Sequence, residues 1–153
     1  MPNDDPAAPS GTAPDGDDRA LIEAARDVLR RHHRPFWHTV AAALRSSDGR
    51  IFTGVHLGAT VGRLSVCAEA VALGRAVLEG GIAPGGPSLL TAVAVRHPKP
   101  EEADQSHAVV SPCGACREML ADYAPDAAVI VPGPDGAPMR LPVRALLPLP
   151  YRR

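Results

Sequence analysis

Three cysteines, placed in two short motifs, constrain the fold of this 153-residue chain more than any other feature. One motif reads Cys67-Ala68-Glu69, and the other reads Cys113-Gly114-Ala115-Cys116. Each motif opens a run that predicts a helix, and an odd number of cysteines suits a metal site better than a disulfide framework. A helix N-terminus carries unpaired N–H groups and a partial positive charge, which stabilise a thiolate. The spacing therefore predicts two helix starts that converge on one metal ion.

The chemistry of this ligand set favours zinc at a catalytic site. Three thiolates are soft ligands, and zinc binds sulfur at about 2.3 Å. Structural zinc usually takes four protein ligands, whereas catalytic zinc usually takes three and leaves one position for water. Zinc lowers the pKa of that water toward neutrality. We predict one zinc ion per subunit, held by Cys67, Cys113 and Cys116.

Two charged residues lie next to the predicted zinc ligands. Glu69 is in the first helical turn, two residues after Cys67, where it can face the water without being a ligand. A carboxylate there can carry protons from water to a ring nitrogen and to a leaving amine. Arg117 directly follows Cys116, and we expect it to hydrogen-bond a ligand sulfur and to offset the negative charge of three thiolates. The set predicts a hydrolytic deaminase with Glu69 as its catalytic residue.

Composition argues against large anionic partners. The net charge is -1, and the aromatic residues are one Trp, two Tyr and two Phe, so neither phosphate binding nor base stacking is favoured. No run approaches the roughly 18 apolar residues of a membrane helix, and the acidic, Pro-rich N-terminus is unlike a signal peptide. We expect a small-molecule substrate, no nucleic-acid or membrane partner, and a cytoplasmic location.

The rest of the chain predicts one α/β domain after a polar tail. Residues 1–16 are rich in Pro, Gly, Ala and Asp and are expected to be disordered, which leaves one domain over 17–153. Asp17-Asp18 offers an N-cap, and helical spacing predicts a first helix from there to about His33. Asp48-Gly49 predicts a hairpin turn. Further helices are expected at 67–78, with a glycine stop at Gly80-Gly81, and at 113–123. Strands are expected at 38–44, 51–57, 89–95, 108–110 and 127–131, and a strand with a short helix within 139–147. This order indicates a mixed sheet covered by helices.

The two motifs, taken as a pair, resemble those of the cytidine deaminase family, and the resemblance covers roughly residues 18 to 151. Residues 47–55, 93–98 and 146–151 are similar to the blasticidin S deaminase branch of that family. The resemblance implies a three-layer α/β/α sandwich with a mixed β-sheet and both zinc-binding helices on one face. It also implies a homotetramer whose active sites are built across subunit boundaries.

The resemblance also implies roles for residues outside the motifs. Ala68 would contact the base through its N–H, and Ser111 through its C=O. Tyr151, in the C-terminal tail, would lie over an active site. We add Arg96, at the end of a predicted strand, as a candidate substrate contact.

The chain departs from the family where the sugar is bound. The family's F-P-V-G-A-A strand reads His38-Thr39-Val40-Ala41-Ala42-Ala43 here, which makes His38 a candidate pocket residue. The Asn and Glu that grip the ribose hydroxyls fall at His56 and Gly58. Gly58 has no side chain and His56 replaces its counterpart only in part, so plain cytidine is not the expected substrate. Blasticidin S, a cytosine nucleoside with an altered sugar and an aminoacyl arm, fits this departure better.

Other interpretations of the same residues stay open. A different cyclic amidine or guanidine of specialised metabolism would use the same zinc and the same glutamate. A fourth ligand from His56, His97 or His107 would make the zinc structural. The chain would then be a non-catalytic zinc protein that binds a nucleoside or a partner. Nucleic-acid editing is disfavoured by the charge and the few aromatics. Salvage, antibiotic resistance and biosynthesis are all compatible with the motifs.

Overall fold

The computed structural model describes residues 9–152, which form a six-stranded sheet with helices on both faces. The helices are α1 (Gly16–His32), α2 (Ala68–Gly80) and α3 (Gly114–Tyr123). The strands are β1 (Val40–Ser46), β2 (Ile51–Val55), β3 (Leu89–Arg96), β4 (Ala108–Val110), β5 (Ala128–Pro132) and β6 (Pro138–Pro142). Short 3₁₀ helices cover Gly62–Leu64 and Val143–Leu146. None of the helices in this part of the chain is long and apolar enough to cross a membrane.

The sheet is mixed, as the order of elements predicted. Its strands lie in the order β2-β1-β3-β5-β6, and β4 also pairs with β3. β3 and β5 run parallel, whereas the other paired strands run antiparallel. β5 pairs with residues 91–93 of β3 and β4 pairs with residues 94–96, so both strands share one edge of β3.

Alternating residues of β1 and β3 separate two hydrophobic cores. One face packs against α1 and includes Ala41, Ala43, Val93 and Val95. The opposite face packs against α2 and α3, with Leu120 of α3 in the same cluster as residues of α2. Strands buried on both faces read as continuous apolar runs, which explains their sequence. The three-layer α/β/α arrangement is confirmed, with α2 and α3 on the same face.

Helix α2 lies directly on the backbone of β2. A Cβ atom added at Gly54 would come within 2.5 Å of the Ala72 nitrogen and 2.6 Å of the Ala68 oxygen. Only a residue without a side chain allows this approach. At its other end, α2 stops at Gly81 in the left-handed conformation, which confirms the predicted glycine stop. The contact at Gly54 therefore holds the first turns of α2, with their motif, against the sheet.

The first helix begins slightly earlier than predicted. The N-cap is Asp15, not the predicted Asp17-Asp18 pair, because the Asp15 carboxylate accepts the Asp18 N–H at 2.8 Å and Asp18 accepts the Asp15 N–H at 3.2 Å. This reciprocal pattern is a capping box and satisfies two N–H groups at the helix start.

The segment before α1 is attached to the sheet. Thr12 exchanges two backbone hydrogen bonds with Arg140 of β6, at 3.0 and 2.7 Å. The fully buried Asp18 also accepts a hydrogen bond from the Arg140 guanidinium at 3.0 Å. The sequence predicts a disordered tail over residues 1–16. Residues 1–8 of that tail lie outside the described residues, and residues 9–16 include the pairing of Thr12 with Arg140. The hairpin strands also shift: β1 starts at Val40, because His38 closes a turn with Arg34.

The contact between α2 and β2 predicts opposite effects for two glycine substitutions. Gly54→Ala should destabilise the protein by about 1–3 kcal/mol, because the added methyl group meets fixed backbone atoms. Gly74→Ala, on the exposed side of α2 with open space around it, should be neutral or stabilising by about 0.5–1 kcal/mol. Urea unfolding curves of the two variants measure this. Equal stability of both variants would contradict the packing described.

Candidate metal centre and active site

The three cysteines meet at the starts of two helices. Cys67 is the N-cap residue of α2, Cys113 is the N-cap residue of α3, and Cys116 lies in the first turn of α3. Their sulfur atoms lie within 4.8 Å of one another, and the sulfurs of Cys67 and Cys113 are 3.6 Å apart. Two sulfur ligands of a tetrahedral zinc ion are about 3.8 Å apart, given Zn–S bonds of about 2.3 Å. The donor set therefore fits one zinc ion.

Burial and backbone hydrogen bonds act in opposite directions on the three thiols. Burial raises the pKa of Cys116, as does the Glu69 carboxylate. Burial and the neighbouring Cys113 thiol raise the pKa of Cys67. Burial also opposes ionisation of Cys113, but the N–H groups of Cys116 and Ala115 lower the pKa of that thiol on balance. The start of α3 therefore favours a thiolate, while so much negative charge in one place calls for a cation.

A cavity of about 160 Å³ adjoins the cysteines. Glu69 lines it and is only 8% exposed, so its carboxylate is held in a largely dry setting beside the sulfurs. Predicted contacts Ala68, Ser111 and His56 line the same cavity. The structure thus brings together the residues that the two motifs supplied, from the starts of α2 and α3 and the ends of β2 and β4.

Two apolar residues of this cavity were missed by the sequence interpretation. Val40 is the first residue of β1 and Val110 is the last residue of β4, and both line the cavity. In the sequence, Val40 and Val110 are marked only by their positions at or near the ends of predicted strands. A strand pattern does not indicate which strand ends line a functional site.

His56 is a partly buried histidine whose surroundings favour the neutral imidazole. Burial lowers the pKa of His56, and the nearby His38 lowers it further. The Nδ1 atom of His56 lies 3.3 Å from the Thr39 hydroxyl, and its backbone N–H donates to the Val40 carbonyl at 2.9 Å. A neutral imidazole in this position can donate or accept a hydrogen bond to a ligand.

His38, predicted as a candidate pocket residue, does not line this cavity. Its Nδ1–H lies 2.9 Å from the His56 carbonyl, so it donates to the backbone of the residue that does line the cavity. The side chain therefore positions His56 in this subunit.

Arg96 does not line the 160 Å³ cavity either. It lines a separate cavity of about 560 Å³, and its guanidinium donates to both carboxylate oxygens of Glu102 at 2.7 Å. This pairing holds the pKa of Glu102 down at about 2. The arginine is engaged because the loop after β3 folds back and returns Glu102 to the strand end.

Tyr151 lies on the surface, far along the C-terminal tail. Its side chain is 80% exposed, and its backbone N–H donates to the Glu118 carboxylate of α3 at 3.3 Å. Within one subunit it does not line the cavity beside the cysteines. Its predicted place over an active site therefore requires a neighbouring copy of the chain.

Arg117 binds carbonyl groups, contrary to the expected bond with a ligand sulfur. Its Nε–H donates to the Pro112 carbonyl at 2.9 Å, and Nη1 donates to the Leu146 carbonyl at 3.2 Å. Among the described residues, the Arg117 guanidinium makes no hydrogen bond to a cysteine sulfur. The reason is that one residue along a helix turns the side chain by about 100°, away from Cys116. Arg117 instead joins the loop before Cys113 to the C-terminal segment.

The structural-zinc interpretation lacks a fourth ligand in this structure. The His97 ring stacks on His33 at 3.5 Å between centroids, and His107 lies 5.3 Å from His97. Among the described residues, the group that converges on a metal position contains the three cysteines and no histidine. A zinc ion held by these three cysteines would keep one position for a non-protein ligand, as catalytic zinc requires.

Comparison with known sequences defines the class of protein. The pattern described as the cytidine and deoxycytidylate deaminase zinc-binding region matches residues 15–131, so the chain belongs to this zinc-dependent deaminase family. It is similar to a Blasticidin-S deaminase from Bacillus cereus, with 42% identity over 136 residues that cover 89% of this chain and 93% of that protein. It is also similar to a probable cytidine deaminase from Dictyostelium discoideum, with 33% identity over 128 residues that cover 83% of this chain and 78% of that protein.

Solved structures support the same family. A cytidine deaminase from Burkholderia pseudomallei superimposes with a TM-score of 0.69 and 29% identity, covering 87% of this chain and 98% of that one. A cytidine deaminase from Mycobacterium tuberculosis gives a TM-score of 0.64 and 26% identity, covering 91% of this chain and 100% of that one. The predicted family and fold are confirmed.

The geometry predicts a zinc content that depends on the buried cysteine. The purified protein should contain about one zinc ion per subunit, whereas Cys116→Ser should lose most of it, because a hydroxyl is a poor replacement for a thiolate ligand. Ser111→Ala, beside the same cysteines, should keep its zinc and serves as control. Elemental analysis after dialysis measures the ratio. Full zinc in the serine variant would contradict a three-cysteine site.

Proposed function

We propose that the protein is a zinc-dependent hydrolytic deaminase that converts a cytosine nucleoside to its uracil form and releases ammonia. The observation that carries this proposal is the buried carboxylate of Glu69 in the same small cavity as Cys67 and Cys113. Membership of the deaminase family and the two named relatives support it. Neither the site nor these relatives support a different cyclic amidine or guanidine as substrate.

In this proposal, Cys67, Cys113 and Cys116 hold the zinc. When bound, the zinc ion would act as a Lewis acid that lowers the pKa of water, so that hydroxide is available near neutral pH to add to the amino-bearing carbon of the ring. Glu69 takes one proton from the attacking water and passes it to the ring nitrogen. It then takes the remaining proton of the added hydroxyl group and delivers it to the amine, so that the C–N bond breaks, ammonia leaves and the ring carbonyl forms. Since Glu69 is held at the start of α2 and largely excluded from solvent, it needs no reorganisation to do so.

Two backbone groups at the cavity match the polar edge of a cytosine ring. The first N–H groups of a helix have no partner within the helix, so the Ala68 N–H at the start of α2 is available to the ring carbonyl. The Ser111 carbonyl, just beyond β4, is available to the exocyclic amine. We propose these two contacts as the ones that orient the base.

We propose that blasticidin S, or a nucleoside with a similarly altered sugar, is preferred over plain cytidine. The support is the similarity to Blasticidin-S deaminase together with Gly58, which offers no side chain to a ribose hydroxyl. A role in antibiotic resistance follows from that preference.

We also propose a homotetramer in the cytoplasm. Four exposed apolar side chains lie on the segment between β2 and α2, next to the cavity: Leu57, Val61, Leu64 and Val66. Exposed apolar patches of this kind are typical of surfaces that bind another protein, and a second copy would cover them. A set of thiolate ligands also suits a reducing compartment.

The proton carrier is tested by one substitution. Glu69→Gln should lower kcat by about 10²–10⁴-fold while the zinc content stays at that of the wild type, because the amide cannot carry protons. Glu79→Gln, at an exposed position in the last turn of α2, is the matched control and should keep wild-type turnover. Ammonia release reports the rate. Normal turnover in Glu69→Gln would overturn the mechanism.

The substrate is tested by a panel of cytidine, deoxycytidine and blasticidin S. We expect loss of cytosine absorbance with all active members and the highest kcat/KM for blasticidin S, because the site lacks a side chain at position 58. The preference would be contradicted if the kcat/KM for cytidine were that of an ordinary enzyme and higher than the kcat/KM for blasticidin S. No turnover of any member would overturn the substrate class.

A further inference from the structure

The turn that joins α1 to β1 is rigid and strained. Arg34 and His38 exchange backbone hydrogen bonds at 3.1 and 2.8 Å, and the Trp37 N–H donates to the Arg34 carbonyl at 3.0 Å. Between these residues, Phe36 has φ of 69°, and it is the only non-glycine residue with positive φ in the described part of the chain. An aromatic residue in this conformation is disfavoured, and such strain tends to persist at sites where it serves a function.

Gly58 is the residue that lets this turn take its place. A Cβ atom at position 58 would come within 2.5 Å of the Phe36 carbonyl oxygen and 3.0 Å of the Trp37 Cα. The Gly58 N–H also donates to the Trp37 carbonyl at 2.8 Å. The backbone of the turn therefore fills the space that a side chain at position 58 would need.

The same turn forms a wall of the larger cavity, which has a volume of about 560 Å³. Phe36 lines it with its side chain 60% exposed, and Val40 lines both this cavity and the one beside the cysteines. Thr39 lines the larger cavity and contacts His56, which lines the smaller one. The two cavities are therefore neighbours across Val40 and Thr39.

The volumes of the two cavities indicate which part of a substrate each one can hold. Sites for complete drug-sized ligands usually measure about 300–1,000 Å³, so a cavity of about 160 Å³ has room for a pyrimidine ring and little more. The rest of a nucleoside must leave that cavity, and the larger cavity is adjacent.

The residues that line the larger cavity determine which kind of chemical group it can bind. Most of the surface is apolar, from Phe36, three prolines and the stacked rings of His33 and His97. Arg96 is neutralised by Glu102, which leaves the Lys99 ammonium as the one unpaired cation among the residues that line it. Such a surface fits a bulky, largely apolar group.

We propose that the larger cavity is a second substrate subsite, which receives a bulky apolar substituent carried by the sugar of a cytosine nucleoside. Phe36 is its specificity-determining residue, and Gly58 makes its position possible. This inference rests on the proposed deaminase function, because it assumes that the ring occupies the smaller cavity.

The test uses Phe36→Gly, with cytidine and its 2′-, 3′- and 5′-O-benzyl ethers as substrates. For the wild type, at least one ether should have a KM about tenfold below that of cytidine, because the benzyl group is buried against apolar surface. In Phe36→Gly that advantage should disappear, so that the ratio of the KM for cytidine to the KM for the ether falls to about one. The unfolding midpoint should not fall, because glycine adopts positive φ without strain. Leu78→Ala, at an exposed site on α2, should change none of these values.

Each other outcome overturns the subsite. Wild-type protein that prefers cytidine to all three ethers excludes it, as does a Phe36→Gly variant that weakens cytidine and ether equally. A change in subunit number by light scattering, with the KM ratio unchanged, would assign the cavity to contact between copies of the chain.

Failure of the proposed function is recognised separately. If the wild type deaminates none of these compounds, direct binding decides the subsite: equilibrium dialysis should give an ether Kd about tenfold lower than that of cytidine, and only in protein that retains Phe36. Equal binding in both proteins would overturn the subsite independently of catalysis.

Discussion

The close contact between helix α2 and strand β2 is the constraint on which the site depends. Gly54 allows the backbone of α2 to lie against the strand, so that Ala68 and its neighbours occupy a fixed position over the sheet. Since protein interiors are close-packed, a helix held at this depth has little freedom to move. The sulfur of Cys67, the N-cap residue of α2, is thereby brought to 3.6 Å from the sulfur of Cys113. Cys113 is the N-cap residue of α3, which comes from a separate part of the chain. The geometry of the metal centre follows from packing under it.

Both helix starts bring negative charge to one place, and the fold compensates only in part. The N–H groups of α3 lower the pKa of Cys113, but burial raises the pKa of Cys67 and Cys116. Arg117, the nearest guanidinium in the sequence, is directed to carbonyl groups. A divalent cation satisfies this surplus of negative charge more directly than an arginine, which agrees with the zinc dependence of the family.

Most of the architecture was predictable from the sequence because it is encoded locally. The apolar periods, the Asp48-Gly49 turn and the glycine stop after α2 identified helices and strands within about two residues. The exceptions came from short-range hydrogen bonds: β1 starts late because Arg34 and His38 bond to each other across a turn, and α1 starts early because of the capping box between Asp15 and Asp18. Neither feature has a periodic signal.

The sequence by itself determined which chemistry to expect: three thiols and one glutamate in two short motifs predict a zinc deaminase, because ligand type and position in a first helical turn are local properties. Only the tertiary structure decided which other residues share the cavity. It placed His56 and Val40 there, and it engaged Arg96 with Glu102. The physical reason is that the walls of a pocket come from the ends of several elements, and their meeting depends on packing between distant segments of the chain.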